Sequence, residues 1–456
     1  MPNLCRRLAL GQPECQPAPS NGGRRRPVRA GRIGDMDLVG LASLLTPEGW
    51  ALLEALPPYD ESTAIRLGQH LREQGHDPVT VAAALTQSRL RARAAGKFGA
   101  FAAGMLFTPD GLEQATRLEV AARHAQRYVS AGIDRVLDLG CGIGSDAMAL
   151  ATFDREVVGV EQDDLTAAVA TVNLRHWPAA TVQAGDVTSL DLAALGAFAS
   201  GTGLWLDPAR RTPGRSTAGG ATRRVTDPES FAPPWSFVRS LAARNPATGV
   251  KLPPGIAHRH LPDPAAEAVE LQWVSVGGEA VECSVWWGGL ARDGVGRSAL
   301  VLGPDSSAEL REPRGAGSGA APLRLAAAGD VRPGGWLHEP DPAVVSAGLV
   351  PLLAAELDAT AVSKGPTYLV SPTPGSSPFA RTYAIEDVLP FQLKALRAYL
   401  RDRDVGRLTV KKRGVSVDPE QLRRQLRPTG AAEATIAVTR MAGQQTVLVL
   451  RPAPSA

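Results

Sequence analysis

The run Arg135-Val136-Leu137-Asp138-Leu139-Gly140-Cys141-Gly142-Ile143-Gly144-Ser145-Asp146 constrains this chain more than any other. Val136, Leu137 and Leu139 spell a short buried strand. Three glycines at alternate positions end it, and Ala147-Met148-Ala149-Leu150 opens a helix. Glycine lets the backbone turn tightly and approach a bulky ligand, and a helix start offers N–H groups to it. A G-x-G-x-G alone is weak, because any tight strand-to-helix turn favours glycine.

The following strands strengthen it. Residues 155–161 are β-like and end on Glu161, about twenty residues past the glycines, where a carboxylate can take ribose hydroxyls. A third strand, 180–184, ends in Gly185-Asp186, and a fourth, 203–206, in Asp207-Pro208-Ala209-Arg210. Consecutive strands thus deliver Asp138, Glu161, Asp186 and Asp207 at their carboxyl ends, where open α/β sheets bind ligands.

On these residues the chain resembles the class I S-adenosylmethionine-dependent methyltransferases over roughly residues 129–303. Asp138-Leu139-Gly140-Cys141-Gly142-Ile143-Gly144 is similar to their first motif. The resemblance implies a Rossmann-like seven-stranded core of order 3-2-1-4-5-7-6 and S-adenosylmethionine as cofactor. It implies further that Gly140, Gly142 and Gly144 form the cofactor turn, that Glu161 binds the ribose, that Asp186 lies beside the adenine and that Asp138 faces the cationic methionine end.

The chain has 456 residues, too many for one ordinary core, so two or three domains are expected. No apolar run is long enough for a membrane span, and residues 1–35 lack the apolar region of a signal peptide. Cys5, Cys15, Cys141 and Cys283 show neither disulfide nor metal-ligand spacing, so a reduced cytoplasm is the simplest home and no metal is expected. Charge is segregated. Residues 1–35 carry a net +5 and 385–456 a net +6, leaving −8 between them in a chain of net +3. Basic ends on an acidic middle suit a polyanion gripped away from the cofactor. Arginine outnumbers lysine 43 to 6, which a GC-rich genome explains without function.

Residues 1–35 are rich in Pro, Gly and Arg and read as a disordered basic extension, or as sequence upstream of a working start at Met36. Residues 36–128 read as a helical N-terminal domain, with amphipathic segments at 63–74, 78–86 and 89–105 and a helix at 118–130. The stretch between the last two is either a plain turn with a Pro-initiated helix, or a cover over the methionine end of the cofactor, touching it through Thr108, Gln114 and Arg117. The core is expected over 129–304, with a hairpin of strands 268–276 and 280–287 around Gly277-Gly278. Residues 305–335 read as a linker or extended loop, and 336–456 as a small α/β domain. In that tail a helical 343–357 leads to helix 388–402, strand 407–411, helix 419–426 and strands 434–439 and 445–450.

The tail resembles the THUMP-like domain found behind bacterial methyltransferase cores, through Glu339-Pro340-Asp341-Pro342 and Lys411-Lys412-Arg413-Gly414-Val415. THUMP domains proper occur in enzymes that modify transfer RNA, so the resemblance implies RNA as partner. Arg403, Arg407, Lys411, Lys412 and Arg413 are the candidate RNA contacts in the tail, with Arg211 and Lys251 beside the cofactor site. A merely solvated face accounts for the same charges.

Methyl transfer from a sulfonium needs alignment and exclusion of water more than a metal or a covalent nucleophile. The catalytic candidates are Asp207, Pro208 and Arg210. They stand where amine-directed methyltransferases carry Asp/Asn-Pro-Pro-aromatic, whose carboxylate or amide and proline carbonyl accept from the exocyclic amine. Here Ala209 replaces the second proline and Arg210 the aromatic, although an Arg plane also stacks on bases. Asp207 as a helix cap with proline next is the competing structural reading. Three functions follow: methylation of a base in structured RNA (tRNA or rRNA), methylation of a small molecule or protein, or a non-catalytic RNA-binding protein that holds the cofactor.

Overall fold

The computed structural model describes residues 36–209, 227–315, 323–327, 329–365, 367–441 and 443–453. By internal contacts the chain falls into two compact units, Met1–Val250 and Lys251–Ala456.

The first unit begins with four helices. Asp37 caps α1 (Leu38–Leu44) by accepting from Gly40 N, and Thr46 caps α2 (Pro47–Ala55). After α3 (Ala64–Glu73), Asp77 caps α4 (Pro78–Phe98), which has Pro at its first turn. The sequence reads as two segments broken after residue 86, but α4 is continuous. The polar residue that interrupts the apolar period, Gln87, is buried and paired both ways with the main chain of Phe107: Nε2 donates to its carbonyl at 2.8 Å, and Oε1 accepts from its N–H at 2.9 Å. Satisfied in this way, a buried amide does not break a helix. Residues 99–104 then form a 3₁₀ turn, followed by α5 (Pro109–Gln114) and α6 (Leu118–Ser130).

From there strands and helices alternate: β1 (Arg135–Leu139), α7 (Ser145–Thr152), β2 (Glu156–Glu161), α8 (Asp164–Asn173), β3 (Ala180–Ala184), β4 (Thr202–Leu206), α9 (Trp235–Arg244) and β5 (Thr248–Leu252). All five strands are parallel, in the order β3-β2-β1-β4-β5. β1 stands between β2 and β4, with Asp138 opposite both Gly159 and Trp205. Since β2 and β4 are parallel to β1, their last residues, Glu161 and Leu206, emerge at the same sheet edge as the glycine turn.

In the second unit β6 (Val269–Val276) and β7 (Glu279–Trp287) form the expected hairpin, with β8 (Val295–Leu302) parallel to β6 and β9 (Ser307–Pro313) antiparallel to β8. Strand order is β3-β2-β1-β4-β5 in the first unit and β7-β6-β8-β9 in the second, so the expected runs 3-2-1-4-5 and 7-6 are each present and two strands extend the second. β9 falls in the stretch that composition reads as linker. What holds it is an ion network absent from any composition argument: Arg292 bonds the fully buried Glu270 and also Glu309 on β9. Burial opposes ionisation of Glu309, yet the Arg292 guanidinium keeps its carboxyl down at about 2.

The tail of this unit is a mixed sheet of seven strands rather than a simple alternation. Its order is β11-β12-β10-β13-β16-β15-β14, built from β10 (Trp336–Pro340), β11 (Thr360–Ala361), β12 (Leu369–Ser371), β13 (Ala380–Pro390), β14 (Val405–Lys412), β15 (Ala432–Met441) and β16 (Gln444–Pro452). The helical run after β10 divides at Gly348, a left-handed cap, into α10 (Pro342–Ala347) and α11 (Val350–Glu356). Residues 388–390, read as the start of a helix, end β13 instead, and α12 (Leu393–Asp402) follows. Pro390 explains the difference, because the residue before a proline avoids helical geometry. α13 (Pro419–Leu426) buries Leu422 and Leu426 in a core with Leu396, Leu400, Ile436 and Val447. α10 packs on β6 and β8, so cutting the chain at residue 336 would strip a helix from that sheet.

His338 on β10 gives this unit a pH dependence. It is fully buried, 2.8 Å from Ser371 Oγ and 3.0 Å from Thr382 Oγ1, and burial pushes its imidazole down to about 4 from 6.5. Between those values the unfolded chain takes a proton that the folded chain refuses, so stability is lost as pH falls from 6.5 to 4, by about 3 kcal/mol. Thermal unfolding followed from pH 7 to pH 4 is expected to show this slope, and His338→Gln to flatten it. An unchanged slope in the variant would place the acid sensitivity elsewhere.

Candidate active site

The turn after β1 is built for close approach. Gly140, Gly142 and Gly144 sit at φ of +96°, +56° and +87°, where side chains are strained, and a Cβ on Gly140 would come 3.5 Å from the Asp207 carbonyl oxygen. Glu161 reaches back across this turn. Its Oε2 accepts from Gly142 N at 3.0 Å and its Oε1 from Asp163 N at 3.0 Å. Burial raises its carboxyl above the ordinary value, and these backbone donors oppose that rise.

Beside the turn lies a cavity of about 1050 Å³. It brings together the four strand-end acids read from the sequence, Asp138, Glu161, Asp186 and Asp207. Four more carboxylates join them: Asp110, Glu113, Asp146 and Asp163. Among the described residues no lysine, arginine or histidine lines it. Asp138 is almost wholly buried, and Asp146, in the first turn of α7, is 2.7 Å from Nδ1 of the buried His124, whose ring lies 4.3 Å from that of Trp205. Sequence reading missed this pair, because the two residues are 22 apart and neither belongs to a motif that pairs them. Asp163 had a signal, a helix cap two residues past Glu161.

Thr108 and Gln114 line the same cavity, at the two ends of α5. Thr108 Oγ1 accepts from Gly111 N at 3.0 Å, and Gly111 has no room for a Cβ, which would meet Ile143 Cγ2 at 2.4 Å. The segment is fastened at both ends. Asn173 Oδ1 accepts from Leu106 N at 2.8 Å while its Nδ2 donates to Leu106 O and Ile143 O, and the Lys97 ammonium donates to the carbonyls of Leu112, Glu113 and Ala115. Arg117 is turned aside, with Nη1 donating to Gly96 O at 3.2 Å. Cys141 lines the cavity too, but burial pushes its thiol well above the ordinary range, which suits packing and not nucleophilic work.

After β4 the chain does not enter a helix at Pro208. Ala209 instead forms an isolated antiparallel bridge with Ala232, its N–H donating to Ala232 O at 2.8 Å and its carbonyl accepting from Ala232 N at 2.9 Å. The helix-cap reading of Asp207 therefore does not hold. Arg210, Arg211, Arg215, Arg223 and Arg224 lie outside the described residues. Lys251 stands on β5, half-buried.

In the tail the two motifs singled out from the sequence meet. Lys411 Nζ donates to Glu339 Oε2 at 2.7 Å and Arg413 to Pro340 O at 2.7 Å, while Tyr383 and Tyr368 lie under the two cations. Arg403 pairs with Asp387 over the Tyr399 ring, and Arg407 pairs with Glu433. Of the five tail cations proposed for RNA, Lys412 is the one whose side chain makes neither an ion pair nor a hydrogen bond among the described residues. No cluster of three or more His, Cys, Asp or Glu able to hold a metal occurs among those residues, and no helix there is long and apolar enough to cross a membrane.

A parallel sheet with a glycine turn, a carboxylate turned onto that turn and a wide acid-lined cavity define a Rossmann-like cofactor-binding protein. A domain model described as THUMP domain-like matches residues 380–452, and one for a domain of unknown function, DUF8688, matches 37–94. An uncharacterized S-adenosylmethionine-dependent methyltransferase of Mycobacterium tuberculosis is 30% identical over 358 residues, covering 77% of this chain and 90% of its own. The 23S rRNA (uracil(1939)-C(5))-methyltransferase RlmD of Burkholderia pseudomallei is 46% identical over only 71 residues, 14% of this chain and 15% of its own. The crystal structure of a candidate methyltransferase from Porphyromonas gingivalis W83 shares the fold, with TM-score 0.66 and 20% identity, over 87% of this chain and all of that one. The chain belongs to the S-adenosylmethionine-dependent methyltransferases, with a THUMP-like domain at its C-terminus. It is an enzyme, and S-adenosylmethionine is its cofactor.

The cavity's own residues fit that cofactor. The donor set is anionic, matching a sulfonium and an ammonium, and the glycine turn leaves the space a Cβ would fill.

Proposed function

We propose that this methyltransferase acts on a base in structured RNA, transfer or ribosomal, with Asp207 and Pro208 receiving the acceptor amine. The match of residues 380–452 to a THUMP domain-like model carries the RNA half of this reading. For the chemistry, the support is that Asp207 lines the same cavity as Glu161 and the glycine turn.

When bound, the cofactor supplies an electrophilic methyl group on a positively charged sulfur. In this reading Glu161 holds the ribose hydroxyls with the lone pairs its two backbone donors leave open, since a carboxylate accepts about four hydrogen bonds. Asp186 takes the adenine side and Asp138 the cationic methionine end. Thr108 and Gln114 close the cavity and keep water from it. The Asp207 carboxylate and the Pro208 carbonyl accept from the acceptor's N–H groups and so point its lone pair toward the methyl. Arg210 and Arg211 follow this turn and suit a neighbouring phosphate.

The second reading, a small molecule or protein as acceptor, draws on the internal pairing of Arg403, Arg407, Lys411 and Arg413. Radiolabelled methyl incubated with total RNA, total protein and a small-molecule extract separates the two, and label confined to the last two would end the RNA reading. Lys412→Glu is expected to weaken RNA binding several-fold and to lower the slope of log affinity against log salt by about 1. Filter binding across a salt series checks this, and parallel lines for variant and parent would remove Lys412 from the contact set.

A further inference from the structure

The Asp207-Pro208 turn lacks the aromatic residue that would back an acceptor ring, and position 210, where that residue would stand, is arginine. The fold brings a replacement from elsewhere in the chain. Phe231, Ala232, Pro233 and Pro234 all line the cavity, and they reach it because Ala232 is bonded to Ala209 in both directions, at 2.8 and 2.9 Å. Two main-chain hydrogen bonds fix this segment in register with the turn, two residues past Asp207. Within the segment Phe231 and Pro233 are buried and Pro234 is half-buried, while Ala232 is exposed. A wall of four apolar residues results, with Phe231 and Pro233 buried in it and Ala232 its exposed member.

We propose that Phe231–Pro234 is the acceptor wall: it takes the flat face of an uncharged heteroaromatic ring whose exocyclic amine is directed to Asp207. The inference rests on the proposed function and adds the acceptor's chemistry to it. The wall carries no charge and no side-chain donor, so it gains from an apolar ring face and nothing from an anion. With eight carboxylates on the rest of the lining among the described residues, a phosphate group on the acceptor is repelled from this wall. The acceptor is thus a neutral base turned away from its backbone, and not a nucleotide buried whole.

The test uses the full chain and two substitutions. Ala232→Trp, at an exposed position, fills the wall's open side. Calorimetry is expected to show cofactor affinity unchanged within about twofold, with methyl transfer to total RNA down about 100-fold, the scale of a misplaced acceptor. Phe231→Leu is expected to raise the KM for RNA more than it lowers kcat, since it loosens the wall without touching the reacting atoms. A readout without turnover comes from ultraviolet crosslinking of total RNA to the chain loaded with S-adenosylhomocysteine, with adducts expected in the peptide spanning 227–244 and lost in Ala232→Trp. Labelled RNA at parental rates from Ala232→Trp, or adducts confined to other segments, would overturn the wall while leaving the RNA reading in place. A parent chain that neither labels nor crosslinks RNA would overturn both.

Discussion

Replacing Glu161 with alanine is expected to abolish measurable cofactor binding, a loss of about 100-fold or more in affinity. Two losses combine. In the proposed reading the ribose hydroxyls lose their charged acceptor, and hydrogen bonds to an ionised group contribute about 1.5–3 kcal/mol each. The N–H groups of Gly142 and Asp163 also lose the carboxylate that fixes them, so the turn that frames the cavity loosens. Calorimetric titration with S-adenosylmethionine checks the loss, and Glu161→Gln is expected to bind between parent and Ala, because its amide keeps one acceptor oxygen without the charge while its Nε2 cannot accept from the second backbone N–H. Acidification should act in the same direction: burial raises the Glu161 carboxyl, so it protonates, and cofactor affinity falls, at a higher pH than for an ordinary glutamate. A Glu161→Ala variant that binds as the parent does would remove Glu161 from the site.

Asp207→Ala is expected to lower methyl transfer by about 10²–10³-fold while leaving cofactor affinity nearly intact. In the proposed reading the side chain aligns an acceptor rather than holding the cofactor, and the Ala209–Ala232 bridge beside it is made by main-chain atoms that the substitution spares. Asp207→Asn should retain more activity than Asp207→Ala, since an amide oxygen can still accept from an amine. Initial rates with labelled cofactor at saturating RNA check the order parent, Asn, Ala. Equal rates in all three would return Asp207 to a purely structural role.

The grouping of the four strand-end acids was legible because they are tied to strand ends. A parallel sheet places every carboxyl terminus on one edge, so Asp138, Glu161, Asp186 and Asp207 could be grouped from spacing alone, and the cavity gathers all four. The Phe231–Pro234 side of the cavity was not legible. Phe231–Pro234 arrives from beyond a segment with no periodicity, and nothing local announces that Ala232 bonds to Ala209. Side-chain pairing in the tail was not legible for a related reason. Seven cations within seventeen positions look like a patch, but most answer to partners distant in sequence, Glu339 for Lys411 and Pro340 for Arg413. Residues 307–313 failed as a strand because proline and glycine surround them, whereas the buried Arg292 network that keeps β9 in the sheet spans three separate stretches. Local pattern reports backbone preference, and long-range ionic or main-chain pairing overrides it.

The fastening of α5 has a consequence for traffic through the protein. Asn173 and Gln87 secure the chain leading into that helix, and Lys97 collects three carbonyls at its far end. A segment tethered at both margins is masonry and not a hinged door. Turnover need not wait for this helix to swing.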